Sequence, residues 1–566
     1  MRQWRINLIL LFIFLFAAAI IGRLIFLQII NKDFYRALAK GQQNISKELL
    51  PLRGEIFFND GQTKLAANHS IKFLHISPSQ IKDKENTANI LSQILNLKEE
   101  FILEKLNKEN SFDEVLKNQL TDEEAKNVAN LKLDGVYISE ETKRNYLQGE
   151  LASQVVGYFG GENVGQYGLE ESYEKDLRGE MGILEGEKDS RGRLLFLGLD
   201  KYLEPRNGSD LILTIDYNIQ FFAEKLLKEA KNDLNIESGS ILVLEPNSGK
   251  ILALANFPGF DPNNYSSYKN LDIFRNSVIQ KLFEPGSVFK PITMAGALQE
   301  EKVTPTTTYE DTGVLKIGGY TIYNYDNRVW GKQTMTEVLE KSINTGAVFA
   351  ERQLGDSSFL KYVEDFGFFE KTGVDLKGEI FSANSNLREG KEINFATASF
   401  GQGIAITPIQ LARAFSAIAN GGRLVQPYIV EKIVENGEET SPAPSLIKEG
   451  AGQAISSKTA STLTAMLISV VENGFGKRAK IPGYYIAGKT GTAQVPWTSL
   501  GIDKPGYSEK TIQTFVGFTP AFSPKFLILV KLDNPETKTA EYSAVPIFHN
   551  LAKYIIDYWQ IPPDYE

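Results

Sequence analysis

The chain has 566 residues, 42% of them apolar and 23% charged, with a net charge of −9 and no cysteine. That length exceeds one ordinary domain, and the acidic balance, with no long Lys/Arg block, argues against nucleic acid as a partner. The lack of cysteine excludes thiolate catalysis, disulfides and cysteine-ligated metals. His69, His75 and His549 are scattered without metal-ligand spacing, so no metal or cofactor is expected and a serine nucleophile would look to lysine for its base.

Arg2 and Arg5 precede an apolar run from Leu8 to Ile21, and after Gly22 and Arg23 apolar residues resume to Ile30. About 20 such residues span a bilayer, provided Arg23 snorkels to the interface. The early arginines place the N-terminus in the cytoplasm and the rest outside it. Ala17–Ala19 could mimic a signal-peptide cleavage site, but hydrophobicity continues well past them, which favours an uncleaved anchor. Residues 31–205 are mixed. Pro51–Phe58 reads as a turn into a short strand closed by Asn59-Asp60-Gly61. Between about 83 and 132 the composition turns Lys/Glu/Leu-rich at helical spacing, with a capping box at Thr121–Glu124, so a helical insertion is expected over about 83–150. Gly165–Glu170, Leu177–Gly179 and Asp189–Gly192 punctuate the stretch with glycine. No Gly-Lys-Ser/Thr follows them, so they read as structural rather than as a phosphate cradle.

A boundary falls near Pro205–Gly208. Beyond it Leu211–Ile215 reads as a strand and Asn218–Leu234 as an amphipathic helix. Ser240–Leu244 and Lys250–Ala255 form a hairpin across Glu245–Gly249. Tyr484–Ala487, Thr511–Phe518 and Phe526–Leu532 are three further strands, and Val545–Tyr558 is a closing helix. The expected class is α+β: an N-terminal transmembrane helix (1–30), a mixed α/β pedestal (31–205), and a domain at 206–566 with a five-stranded antiparallel sheet flanked by helices.

Three motifs carry chemistry. In Glu284-Pro285-Gly286-Ser287-Val288-Phe289-Lys290-Pro291, a helix would bring Ser287 and Lys290 onto one face. Pro291 is tolerable only near a helix start, so Ser287 belongs in or just before the first turn, where free N–H groups favour developing negative charge. Alone the pattern is cheap, recurring at Ser79/Lys82, Ser172/Lys175, Ser266/Lys269, Ser358/Lys361 and Ser445/Lys448. Ser342-Ile343-Asn344 supplies a hydroxyl to relay a proton and an amide to hold a carbonyl or the lysine; Ser382/Asn384 repeats it. Lys489-Thr490-Gly491-Thr492 follows a strand, where glycine lets a substrate backbone approach; Lys371–Gly373 is a copy in a loop-like context.

In this order the trio is a recognised catalytic pattern, and the chain resembles the penicillin-recognising serine transferases, more narrowly the class B penicillin-binding proteins. Arg53–Ile56, Gly168–Glu170, Leu177–Gly179, Leu213–Asp216 with Gln220, Gly401-Gln402-Gly403 with Thr407-Pro408 and Gln410, and Phe515–Phe518 extend the resemblance from the anchor to the last helix. Two departures matter: no glycosyltransferase module lies between anchor and pedestal, and no small repeats follow the last helix. The resemblance implies D,D-transpeptidation of peptidoglycan stem peptides. Ser287 would attack the penultimate carbonyl, releasing D-alanine, and the acyl group would pass to an amine of a neighbouring stem. Lys290 would take the serine proton directly or through Ser342, with its pKa depressed by burial and by Lys489. It further implies an oxyanion hole of the Ser287 and Thr492 backbone N–H groups, Thr490 and Thr492 facing the terminal carboxylate, and acylation of Ser287 by β-lactams. Expected partners are a membrane-embedded glycan polymerase and divisome or elongasome proteins at the bacterial cytoplasmic membrane. The C-terminal run Asp533–Pro563 favours the division branch. Two alternatives stay open, a D,D-carboxypeptidase or β-lactamase-type hydrolase on the same fold and a non-catalytic sensor or scaffold.

Overall fold

The computed structural model describes residues 3–35, 44–108, 111, 113–188, 194–440 and 452–565. The glycine-bearing Asp189–Gly192 and the Ser445/Lys448 pair lie outside them. The chain divides into two compact units, Met1–Arg53 with Arg178–Gly208, and Gly54–Leu177 with Ser209–Glu566.

In the first unit, Gln3–Ile25 is α-helical and continues through a π-helical turn, Phe26–Ile30. These 28 residues make a helix long and apolar enough to cross a membrane; at 1.5 Å per residue it reaches about 40 Å against a hydrocarbon core of about 30 Å. The Arg23 guanidinium lies over the Phe26 ring at 5.4 Å, so its stem and charge share one amphipathic patch. The unit also holds a three-stranded antiparallel sheet in the order Asn44–Leu49, Gly182–Lys188, Leu194–Leu203.

In the second unit the strand Lys64–Ile76 pairs along most of its length with Val136–Tyr146. Helices Lys84–Leu95, Glu99–Leu106 and Asp122–Leu131 close a small core around Leu74, Leu91, Ile102 and Val128. The predicted Thr121/Glu124 capping box is present. The stretch 83–150 is not wholly helical: Glu114–Lys117 and Val136–Tyr146 are strands. Their Lys/Glu-rich sequence mimics a helix, but on the sheet these charges find partners from other elements: Lys72 pairs with Asp122, Glu140 accepts from Ser70, and Glu114 pairs with Lys105 and Lys108.

The remaining fold is built on one antiparallel sheet, whose strands are β1 (Ser238–Leu244), β2 (Ile251–Phe257), β3 (Ala487–Pro496), β4 (Tyr507–Thr519) and β5 (Phe526–Asp533). Their order is β2-β1-β5-β4-β3, so the early hairpin and the late meander join through β1 and β5. Period-two alternation gives the sheet two apolar faces. Leu242, Leu254, Val516 and Leu529 pack with Val288, Phe289 and Ile292 in the larger core. Ile241, Val243, Phe515 and Val530 pack on the other face with α1 (Tyr217–Leu234) and the C-terminal helix Ala544–Trp559. Each fully buried side chain of this size contributes about 1.5–3 kcal/mol, which holds the strands carrying the chemistry in register. Asp216 caps α1 by accepting from the Asn218 and Ile219 amides.

The sequence starts a strand at Tyr484 and puts Lys489-Thr490-Gly491 on a strand edge. The structure bears out the strand through the motif and corrects its start: β3 begins at Ala487 and runs through Lys489–Thr492. Pairing with β4 is continuous from Ala487 to Gln494 despite the low strand propensity of Gly488 and Gly491.

Candidate active site

Gly286–Phe289 forms a single 3₁₀ turn that runs straight into helix α2 (Lys290–Gln299), so Ser287 stands one turn ahead of Lys290 at a helix start. Pro291 falls in the first turn, where its missing N–H costs nothing. Strand β3 lies directly against this turn. A Cβ added at Gly491 would meet the Pro285 carbonyl oxygen at 2.9 Å and Val288 Cγ1 at 2.9 Å, so a side chain there would drive strand and nucleophile turn apart. Gly401 makes a second close approach: at φ +81° it receives the Gly286 amide on its carbonyl at 2.9 Å, and a Cβ would meet Gly286 O at 2.1 Å.

Ser342 follows the helix Met335–Glu340. The Ser342 amide donates to Leu339 O (3.3 Å) and the Ile343 amide to Val338 O (2.9 Å), the two bonds of a Schellman C-cap. That cap needs a left-handed residue, and Ser342 adopts φ +53° where glycine is the unstrained choice. The cost, about 1 kcal/mol or more, is borne at a position whose hydroxyl contacts both buried lysines. Asn344 opens helix α3 (Asn344–Leu354). Its Nδ2 donates to Tyr323 O at 2.9 Å, which turns Oδ1 toward Lys290.

Lys290 and Lys489 are both buried, at 1% and 0% exposure. Lys290 Nζ donates to Ser342 O at 2.6 Å and Asn344 Oδ1 at 2.8 Å, and lies 3.3 Å from Ser342 Oγ. Lys489 Nζ donates to Ser342 Oγ at 3.0 Å and to Thr490 O at 3.1 Å, with Thr490 Oγ1 at 3.4 Å. Burial, and then the charge of Lys489, holds the Lys290 amine well below the ordinary lysine range. Burial brings Lys489 down to about 7. Of the pair, Lys290 gives up its proton first, because the charge of Lys489 adds to its burial whereas burial alone lowers Lys489. A neutral amine has two N–H bonds and one lone pair. Ser342 O and Asn344 Oδ1 take the two N–H groups, which leaves the lone pair free to receive a proton.

The structure thus brings Lys290, Ser342, Asn344, Lys489 and Thr490 into one hydrogen-bonded cluster beside the turn carrying Ser287. The Ser287 hydroxyl is half-buried and has no hydrogen-bond partner among the described residues; in unliganded sites such bonds are often long until substrate arrives. Thr492 Oγ1 accepts the Ala540 amide at 3.1 Å, leaving its own hydrogen to donate. Among the described residues β3 is an edge strand, paired with β4 alone, so alternate N–H groups along it face away from the sheet. The rival motifs are differently occupied. Lys361 is ion-paired to Asp365 on an exposed helix face. Thr372 and Gly373 are tied to the Glu379 carboxylate. Ser382 and Asn384 bond to each other in a local turn.

Residues 239–553 match the penicillin binding protein transpeptidase domain and residues 48–213 the penicillin-binding protein dimerisation domain. The chain belongs to the class B penicillin-binding proteins. It is 34% identical over 556 residues to stage V sporulation protein D of Bacillus subtilis, covering 96% of this chain and 84% of that one. It is 30% identical over 585 residues to the peptidoglycan D,D-transpeptidase FtsI of Buchnera aphidicola, covering 99% and 96%. Among solved structures, penicillin binding protein 3 of Mycobacterium tuberculosis complexed with aztreonam superposes with a TM-score of 0.69 at 25% identity, over 91% of this chain and 98% of that one.

In this penicillin-binding protein, sequence reasoning missed the support beneath the Ser342–Asn344 loop. Asn324 Oδ1 accepts the Asn344 and Thr345 amides, each at 3.1 Å. Asn324 Nδ2 donates to both Asp311 oxygens at 2.9 Å, and Asp311 also accepts from Thr345 Oγ1, the Gly313 amide and the Trp330 amide. Burial alone would push the Asp311 carboxyl up, but these bonds outweigh it and hold the group below the usual carboxylate range. No local spacing links Asp311 or Asn324 to Ser342, so no sequence signal marked them. The structure also joins Asp113, His75 and Ser139 in a hydrogen-bonded row, a pattern the scattered histidines did not suggest. The Asp113 side chain is 65% exposed, so the ring lacks the dry, fixed setting that a serine's base needs.

Proposed function

We infer that the chain is a peptidoglycan D,D-transpeptidase, forming cross-links through an acyl-enzyme on Ser287 and acylated there by β-lactams. The observation that carries this reading is the setting of Lys290, a buried amine whose Nζ donates to Ser342 O and Asn344 Oδ1 beside the Ser287 turn, where burial and Lys489 hold it well below the ordinary lysine range. The Ser287 hydroxyl attacks the penultimate D-alanine carbonyl as its proton passes to Lys290, directly or across Ser342 Oγ. Negative charge developing on the carbonyl oxygen is received by the Ser287 and Thr492 N–H groups, donors of a kind worth about 3–4 kcal/mol each. Lys290 hands its proton to the departing D-alanine nitrogen, leaving the ester on Ser287. In the second half an acceptor amine attacks that ester, and its proton returns by the same route to Ser287 Oγ. Thr490 and Thr492 hold the donor's terminal carboxylate, with Lys489 buried behind them as the nearby positive charge, and Gly491 keeps the strand close enough to do so.

The apolar N-terminal helix acts as a single-pass anchor in the cytoplasmic membrane, with residues 31–205 lifting the domain at 206–566 outside it and offering surface to a membrane-embedded glycan polymerase. Assignment to septal rather than elongation synthesis rests on the run Asp533–Pro563, and the position of a tagged copy in dividing cells tests it. For the chemistry, Ser287→Ala should abolish covalent labelling by a fluorescent penicillin, whereas Ser266→Ala should leave it intact. Labelling that survives Ser287→Ala refutes the assignment of the nucleophile.

A further inference from the structure

The cluster of lysines occupies one flank of Ser287; among the described residues the carboxyl of Glu284 lies toward the other, against Tyr507. The segment between them is fixed. Phe283 exchanges backbone bonds of 2.9 and 3.0 Å with Ile406, and the Gly286 amide donates to Gly401 O at 2.9 Å. The half-buried Glu284 accepts from Tyr507 Oη at 3.0 Å, and the Gly403 amide lies on the same carboxyl. Burial pushes this carboxyl up to about 7. Tyr507 is its titratable neighbour; the 401–403 loop and the end of β3 contribute no ionisable side chain. Strand β3 orders these groups in space. Lys489 and Thr490 come first, Gly491 and Ala493 then pack on Pro285, Val288 and Gly286, and Pro496 pairs with Tyr507 at the far end. Ser287 therefore stands between a cationic end and an acidic end.

With the donor's terminal carboxylate at the lysine–threonine end, its acyl portion leads the other way, along the free outer edge of β3 at about 3.3 Å per residue. We propose that Glu284 and Tyr507 form a subsite for an amine-bearing, cationic side chain of the donor stem peptide, upstream of the residue that Ser287 attacks. A carboxylate drawn partly out of water gains most from a compact ammonium. The Tyr507 hydrogen already points at Glu284, so the phenol oxygen is left to accept from that ammonium. This inference rests on the transpeptidase reading above.

The test uses the full-length protein in detergent and two donor peptides ending in D-Ala-D-Ala that differ only in lysine or norleucine upstream, with competition against a fluorescent penicillin as readout. The wild type should prefer the lysine donor about tenfold, the worth of one charge-assisted hydrogen bond. The ratio should rise from pH 6 to 8 as the carboxyl ionises while the ammonium stays charged. Glu284→Gln should bring the ratio to about one, and Tyr507→Phe should lower it partway. A ratio unchanged by Glu284→Gln overturns the proposal. If that variant does not fold, a wild-type ratio that is flat across pH 6–8 overturns it equally. Labelling that persists in Ser287→Ala would instead refute the parent reading, so the two failures are distinguishable.

Discussion

Replacing Lys489 with methionine tests how Lys290 is kept neutral. Both Nζ atoms reach Ser342 Oγ, at 3.3 Å from Lys290 and 3.0 Å from Lys489. They therefore stand no more than about 6 Å apart, where a unit charge at an effective dielectric of about 20 acts with about 2.8 kcal/mol, or about 2 pKa units. Burial, the larger cause of the depression, is left in place because methionine fills a similar volume. Acylation requires the neutral amine, so its rate rises with pH through the folded pKa of Lys290. Removing the like charge raises that pKa, and the acid limb of the profile should move to higher pH by about 2 units. Stopped-flow acylation by a penicillin from pH 5 to 10 measures this. Loss of carboxylate binding lowers the height of the whole profile, whereas the electrostatic effect moves its midpoint, so the two separate. A midpoint that stays in place or shifts to lower pH refutes the assignment of Lys489 as the charge that holds Lys290 neutral.

Two further outcomes follow from packing and hydrogen bonding. Gly491→Ala forces a methyl against the Pro285 carbonyl and Val288, and should cost about 1–3 kcal/mol of stability together with a loss of penicillin acylation of at least about tenfold; an unchanged melting temperature would contradict the close approach. Asp311→Ala removes the acceptor for Asn324, Thr345 and two backbone amides, so about 3 kcal/mol should be lost in chemical denaturation, with acylation falling as the Ser342–Asn344 loop loosens. Because the Asp311 carboxyl is held below its ordinary range, its contribution to stability is present above the unfolded carboxylate pKa and is lost as pH falls through the lowered value; wild type and Asp311→Ala should therefore converge in stability in acid.

Much of this protein is written locally. The unbroken apolar run that becomes the helix Gln3–Ile30, the Glu245–Gly249 hairpin, the Thr121 capping box and the closing helix all follow from periodicity and turn chemistry within a few residues of chain. The placement of Ser287 at a helix start follows the same way, since Pro291 admits no other. The three motifs and their order were legible too. What proximity in sequence could not convey is that Ser342 Oγ lies between two lysines brought from opposite ends of the domain, or that Ser342 sits in a left-handed cap while carrying that contact. The strand through Lys489–Thr492 was legible, but its start at Ala487 rather than Tyr484 was not, because only pairing with β4 decides where the ladder begins. The protonation state of Lys290, on which the proposed chemistry depends, belongs to no residue's sequence at all. It is set by how much water the folded chain excludes and by which charge it leaves nearby, and both are fixed only when distant segments close around the same few ångströms.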